Sequence, residues 1–374
     1  VRGSFSSVGM PYPRNLTSPT YEYNEATQSW KPKTHYPIGD LKPERTDSWE
    51  VGLDMKLFKD FNLGLSWYLA NTFNQTFDPQ ISVSSGYTTI YLQTGYVRNT
   101  GLELSLGYGH TWNNNFRWDS NFTLSHNKNK IKELVRDYVH PETGELINKD
   151  RLDVGGLGKA RFILKEGGTL GDLYTQSDLK RDDNGMVDID PTGIVAIENN
   201  LPDIKLGSVF PKANLAWSNH FSWKGISLSA LFTARIGGIV YSATEAAMDQ
   251  YGVSERSALA RDNGGVLVNN RTLVDAQNYY TTIGSESGLP QYYTYNATNV
   301  RLQEASIGYL IPRKWLGNVC DIQVSVIGRN LWMIYNKAPF DPESVATTDN
   351  YYQGIDYFML PSTRNIGFNV KINF

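Results

Sequence analysis

Five histidines, His35, His110, His126, His140 and His220, are the first side chains to weigh, because imidazole titrates near neutrality and ligates metals. None belongs to an H-E-x-x-H pair, the spacing that puts two imidazoles on one helical face around zinc. His110 and His126 fall in strand-like runs and the others in loops or at a strand end, positions that suit plain surface or lumenal roles. No G-x-S-x-G elbow marks a nucleophilic serine, and scattered Ser, His and Asp do not define a triad. Gly155-Gly156-Leu157-Gly158 and Gly237-Gly238 lack the Lys-Ser/Thr that completes a phosphate loop and read as turns and strand ends. The lone cysteine, Cys320, excludes an internal disulfide and a thiolate cluster for zinc or iron and sulfur.

Two segments place ligand-type side chains more densely. Asp182-Asp183-Asn184-Gly185-Met186-Val187-Asp188-Ile189-Asp190 spaces oxygen donors around a glycine, as a calcium loop does. Aligned on Gly185, however, Lys180 stands where the first acidic ligand belongs and Pro191 where the bidentate Glu belongs, so a solvated turn is expected and no metal or other cofactor is assigned. Asn278-Tyr279-Tyr280 and Gln291-Tyr292-Tyr293-Thr294-Tyr295-Asn296 could stack on sugars or grip peptide backbones at little entropic cost, the alternative being loop packing. Tyr292, Tyr293 and Tyr295 are therefore the candidate contacts to a solute.

The elements that must position these groups are strands. No stretch approaches the roughly 18 consecutive apolar residues of a membrane helix, and mean hydropathy is -0.41. Barrel strands, needing only about 9 to 11 residues with alternate ones apolar, escape such a test. The 23 Tyr, 15 Phe and 9 Trp favour strands and membrane interfaces. With 35 basic and 38 acidic residues there is no long run of either sign to track a phosphate backbone or an anionic lipid surface, so nucleic acid is not an expected partner.

Period-2 runs recur from end to end: Val51, Leu53, Met55 and Leu57; Leu63, Leu65, Trp67 and Leu69; Leu102, Leu104 and Leu106; Ile226, Leu228 and Ala230; Ile322, Val324 and Val326; Phe368, Val370, Ile372 and Phe374. Apolar stripes at helical spacing are scarce. Strands are predicted at 1–8, 46–58, 61–73, 98–111, 116–128, 211–222, 225–237, 299–310, 321–333 and 363–374. The connectors then alternate long (9–45, 74–97, 129–210, 238–298, 334–362) and short (59–60, 112–115, 223–224, 311–320). Outer-membrane barrels, with short periplasmic turns on one rim and long loops on the other, force this alternation; sandwiches and propellers do not. Phe58, Phe61, Trp112, Phe116, Trp118, Phe221, Trp223 and Trp315 flank the short turns, as an interfacial girdle requires. Val1-Arg2-Gly3-Ser4-Phe5-Ser6-Ser7 has a strand-like composition and neither the basic start nor the apolar core of a signal peptide, which predicts a chain that begins inside a larger protein.

Several segments resemble the SusC/RagA-type TonB-dependent transporters of Bacteroidetes. Asn299-Val300-Arg301-Leu302-Gln303-Glu304-Ala305-Ser306-Ile307-Gly308-Tyr309-Leu310-Ile311-Pro312 is similar to that family's YLRLKNLTLGYTLP strand, Ile327-Gly328-Arg329-Asn330-Leu331-Trp332 to its SGRNLFT strand, and Phe340-Asp341-Pro342-Glu343 to its DPE loop. The closing Gly367-Phe368-Asn369-Val370-Lys371-Ile372-Asn373-Phe374 and, upstream, Pro43–Asp54, Asn99–Leu104 and Asn127–Ile131 fit in order.

The resemblance implies an all-β transmembrane antiparallel barrel of about 22 strands. Residues 1–374 would be its C-terminal part, with the plug and the TonB-contacting segment upstream of this sequence. It also implies active import across the cell outer membrane of a glycan, oligosaccharide or peptide, with a SusD-like surface lipoprotein as lid, TonB as energy source and no enzymatic step. Two rivals remain: a barrel enzyme with a catalytic site on one rim, where His110 or His126 would be tested, and a secreted all-β glycan-binding protein, which the alternating connectors oppose.

Overall fold

The computed structural model describes residues 1–11, 21–32, 35–36, 42–77, 87, 89–90, 92–93, 95–139, 146–285, 288–348 and 352–373. Ten long strands form one antiparallel sheet: β1 (Arg2–Met10), β2 (Glu44–Leu57), β3 (Phe61–Phe73), β4 (Tyr96–Thr111), β5 (Arg117–Glu133), β6 (Ala213–Trp223), β7 (Ile226–Ile236), β8 (Asn299–Ile311), β9 (Asp321–Asn336) and β10 (Asn365–Asn373). Their spatial order is their sequence order, an up-and-down meander with β1 and β10 at its two edges. Each expected strand is present. The main departure is that β4, β5 and β9 run on past the expected limits on the long-loop side, where the inward residues Val97 and Ile131 pack into folded loops.

Register sorts the side chains into two chemically distinct faces, because a strand alternates its side chains with period 2. Leu53, Leu65, Leu104, Leu124 and Leu215 are cross-strand partners in one row on the outer face. One step along each strand, Gly52, Ser66, Glu103, Ser125, Asn214 and Arg235 form a row on the opposite face. The outer row Leu228, Ile307, Val326 and Phe368 continues the apolar band to β10, and all four are more than a third exposed. A single-layered wall with this band bare to water would be an aggregation surface; against hydrocarbon it is matched. No helix among the described residues is long and apolar enough to cross a membrane.

Three of the short connectors are turns of two to five residues, and the fourth, between β8 and β9, holds a 3-10 turn at Arg313–Leu316. Lys224 and Gly225 both have positive φ, 50° and 87°, the two-residue geometry that matches the twist of flanking strands. A Cβ at Gly225 would meet the Leu310 carbonyl oxygen at 3.0 Å. Above these turns three rings of the expected girdle, Phe61, Trp118 and Phe221, are joined through Tyr108, which the girdle expectation did not include, into a chain across four strands: Phe61 to Tyr108 at 4.7 Å, Tyr108 to Trp118 at 5.1 Å, and Trp118 to Phe221 at 5.8 Å.

The long connectors, where apolar stripes at helical spacing are scarce, build a folded lobe that holds, among the described residues, the helices α1 (Ala243–Gln250), α2 (Glu255–Asp262) and α3 (Ala276–Gly284). Each is eight or nine residues long, too short to display an apolar stripe, so their signals are caps. Ser242, Ser254 and Asp275 accept the backbone N–H of Glu245, Ser257 and Asn278. Beside them stands a four-stranded sheet of Arg151–Leu157, Ala160–Lys165, Asp172–Thr175 and Ile204–Ser208. Phe162, Leu164, Leu173, Tyr241, Ile283, Leu289 and Tyr293, from separate connectors, share one buried core. At roughly 1.5–3 kcal/mol per buried side chain, that core holds the connectors together as a domain-like unit.

Candidate solute-facing wall and loop lobe

The inward face of the sheet carries a polar surface from β1 to β7. On β1, Arg2 donates to Asp54 at 2.5 Å and to Ser66 at 2.6 Å, and lies 3.4 Å from Glu50. Glu103, Ser105, Thr123, Ser125 and Asn214 continue the surface to Arg235, which donates to the Val209 carbonyl at 2.7 Å while its buried Nε has no partner among the described residues. These groups line one open groove, together with Gln303 and Glu343. Mixed charges and hydroxyls without one dominant sign suit hydrogen-bonding, largely neutral polar solutes or another protein surface.

Lower on the same face, Asp119, His220 and Ser229 are cross-strand partners on β5, β6 and β7, with His220 Nδ1 2.8 Å from Ser229 Oγ. The order resembles an acid–base–nucleophile row, yet the contacts differ. Both Asp119 oxygens accept from Arg117 at 2.6 Å, so the carboxylate is not orienting the imidazole. Ser229 lies inside a paired strand, where the ladder consumes the backbone N–H groups that would stabilise an oxyanion. His110 and His126, the two histidines of the enzymatic alternative, are engaged elsewhere: His110 with Asp60 at 2.8 Å and His126 with the Lys212 carbonyl. The side chain of His35, all of His140 and Phe374 lie outside the described residues. No cluster of three metal-ligating side chains occurs among the described residues.

The lobe places the three candidate tyrosines differently. Tyr293 has no exposed surface; its ring sits in the core and its hydroxyl donates to Asp249 at 2.9 Å. It thus serves the packing alternative, and in this conformation cannot touch a solute. Tyr292 and Tyr295 are half-buried, Tyr295 edge-on to Phe340 at 5.7 Å. Burial, then the neighbouring Asp249, pushes the Tyr293 hydroxyl far above its ordinary range, so it is a permanent donor. Burial likewise pushes Tyr279, on α3, up to about 12.

Sequence reading gave no sign of the centre of this network. Asp249 is 1% exposed and also accepts from Ser254 at 2.5 Å and Arg256 Nε at 2.9 Å, while Arg256 lies over the Tyr293 ring at 4.8 Å. The only available signal was an acid and a base seven residues apart across a cap, which has no motif value. A second ion pair, Asp203 between Arg151 at 2.6 Å and Lys165 at 2.9 Å, ties the lobe sheet together. Hydrogen bonding to Arg151, opposed by burial and aided by Lys165, holds the Asp203 carboxyl well below the usual carboxylate range.

The recurrent motifs acquire physical roles. Arg301, 6% exposed, bridges Asn299, Asp341 at 2.9 Å and Glu343 at 3.2 Å, pinning the Asp341-Pro342-Glu343 loop over the top of β8. Arg329 reaches Glu304 across the β8–β9 pair at 2.8 Å. In the calcium-like segment, Asp182 accepts the N–H groups of Asn184 and Met186, and Asp190 those of Thr192 and Ile194. The carboxylates close their own turns, and the segment is the solvated turn pair expected.

Comparison with known proteins agrees with this geometry. Residues 1–331 match the family model described as TonB dependent receptor-like, beta-barrel. TonB-dependent receptor P3 of Formosa agariphila is 25% identical over 372 residues, covering 90% of this chain and 35% of the relative. TonB-dependent receptor P26 of the same organism is 24% identical over 362 residues, again 90% of this chain and 35% of the relative. The chain thus spans about a third of the length of these curated relatives. Among solved structures, a RagAB peptide transporter superposes with a TM-score of 0.69 at 18% identity, covering 100% of this chain and 40% of that one. The RagAB peptide importer in its "closed-closed" state gives 0.68 at 17% identity, covering 99% and 40%. An ordered ten-strand meander, an apolar outer band, a polar inner wall and a family match along most of the sequence converge: this chain belongs to the TonB-dependent receptor-like β-barrel family.

Proposed function

We propose that the chain is the C-terminal part of the barrel of an outer-membrane importer of the SusC type, without enzymatic activity. It would take up a glycan, oligosaccharide or peptide with a SusD-like surface lipoprotein as lid and TonB supplying energy through a segment upstream of residue 1. The observation that carries this reading is the pairing of a lipid-matched outer band with a polar inner wall beneath a compact loop lobe on one rim. A barrel closed from such walls would enclose a polar lumen open to water, which a plug from within and a lid from outside would make selective. Tyr292 and Tyr295, half-buried on the lobe, are the proposed contacts, with Tyr293 holding the backbone between them.

The test is detergent extraction of the outer membrane, purification through this chain and mass spectrometry of all that accompanies it. Peptides preceding Val1 together with a surface lipoprotein support the importer. Recovery in the soluble fraction, or of a protein that begins near Val1 and travels alone, refutes it. With a solute in hand, Tyr292→Ala and Tyr295→Ala should weaken its binding while leaving the barrel folded.

A further inference from the structure

No long run of basic residues crosses this sequence, but strand register assembles a cationic patch from short ones. On β5, His126, Lys128 and Lys130 project to the outer face, directly above Leu124 and Phe122 on the same strand. On β4, Arg98 is the cross-strand partner of Lys130 and lies above Leu102 and Leu104. Thr100 faces Lys128 between them. Like charges placed directly opposite on paired strands repel, so Arg98 beside Lys130 is an arrangement the fold tolerates at a cost.

Nearby acids do not relieve it. Arg98 donates to Asn71 at 2.9 Å and to the Tyr96 hydroxyl, both neutral, and neither lysine forms an ion pair with a described residue. Asp47, further along the rim on β2, is occupied by Arg45 at 3.1 Å and by Ser7. Glu133, past the bulge that ends the β4–β5 ladder, lies close enough to Arg136 to act on its charge.

The height of the patch is informative. From Tyr108 in the lower aromatic girdle to Arg98, β4 climbs about 25 Å at ~3.3 Å per residue and a tilt of about 40°, the height of the apolar band of an outer-membrane barrel. The cations therefore stand at the level of the outer-leaflet headgroups, with hydrocarbon-facing side chains immediately below. Inward residues at the same height, Asn129 and Ile131, are buried against the lobe, so this strand segment is held rigidly with its basic face outward.

We propose that Arg98, Lys128 and Lys130 form a binding site for a phosphorylated glycolipid of the outer leaflet. The phosphates are held by the three cations, and the acyl chains lie along Leu102, Leu104 and Leu124. His126, at the lower margin, presents its ring at the junction of the two zones. The inference rests on the membrane-barrel reading above and adds a lipid ligand to it.

The test uses the whole protein extracted from its membrane and delipidated, titrated with diphosphoryl lipid A and with the same lipid dephosphorylated, with bound lipid counted by native mass spectrometry. Diphosphoryl lipid A should bind at least about tenfold more tightly than the dephosphorylated form. Removing two cations in K128Q/K130Q should weaken it on the order of twentyfold, at about fivefold per cation, while K128R/K130R keeps it. Heat-modifiable migration on gels verifies that each variant barrel is folded. Equal binding of the two lipids, unchanged binding by K128Q/K130Q, or displacement by equimolar inorganic phosphate overturns the assignment. A folded, membrane-derived barrel that binds no lipid A defeats this inference alone, whereas a chain that never enters the membrane defeats the proposed function.

Discussion

Asp249 shows how a single buried charge organises the lobe. It receives bonds from Ser254, Arg256 and Tyr293, drawn from α2 with its cap and from the tyrosine-rich segment after α3. Removing one partner of a buried pair leaves the other uncompensated, so Asp249→Ala should destabilise the lobe by about 3–5 kcal/mol. Limited proteolysis across 243–296 reads that loss, and the barrel's heat-modifiable migration should not change. Asp203 makes a different prediction. Its carboxyl is held low in the folded state by Arg151 and Lys165, so its stabilising contribution is full above an unfolded pKa of about 3.9 and is lost as pH falls below that value. Protease resistance of 146–210 should therefore be flat from neutrality to about pH 4 and fall below it. Asp203→Asn should flatten that acid step at the cost of lower resistance at neutral pH. Neither carboxylate could be singled out from sequence, because each is defined by partners brought from elsewhere in the fold: Arg151 stands 52 residues from Asp203 and Tyr293 stands 44 from Asp249.

The strands behave as their alternation predicts. Leu104 sits in the middle of the outer leucine row and Glu103 one residue away on the inner wall. Leu104→Arg, placing a charge in the hydrocarbon, should cost about 2–4 kcal/mol, whereas Glu103→Gln should barely affect folding. Urea titration of barrels refolded into vesicles compares the two; equal costs would mean the faces are misassigned. The loop elements were the less legible ones. Helices α1 to α3 are short and held by caps and a shared core, so their information lies in tertiary contacts that local periodicity does not carry. The extra length of β4 and β5 has the same origin, since their ladder continues where the lobe keeps the inward Val97 and Ile131 buried.

For the whole molecule, two bodies with different solvents share one chain: a wall one sheet thick between lipid and lumen, and a lobe with an apolar core like that of a water-soluble domain. If connectors from different hairpins truly form one unit, damage in one should loosen another. Phe162→Ala, which empties part of the core, should cost about 3–5 kcal/mol. Hydrogen exchange should then rise together in the 151–208 sheet and in α1 to α3, with the amides of β3 to β7 unaffected. Exchange confined to the mutated hairpin would show the lobe to be several independent loops. The sequence by itself determined the strand count, their order, the two faces of the wall and the rim bearing the long loops, because a strand in a membrane writes its environment into every second residue. Only the tertiary structure decided that the loops fold into one lobe, that Tyr293 is buried while Tyr292 and Tyr295 are half-exposed, and that Arg98 meets Lys130. Burial and charge proximity between residues far apart in the chain are properties of packing and register, which no local pattern encodes.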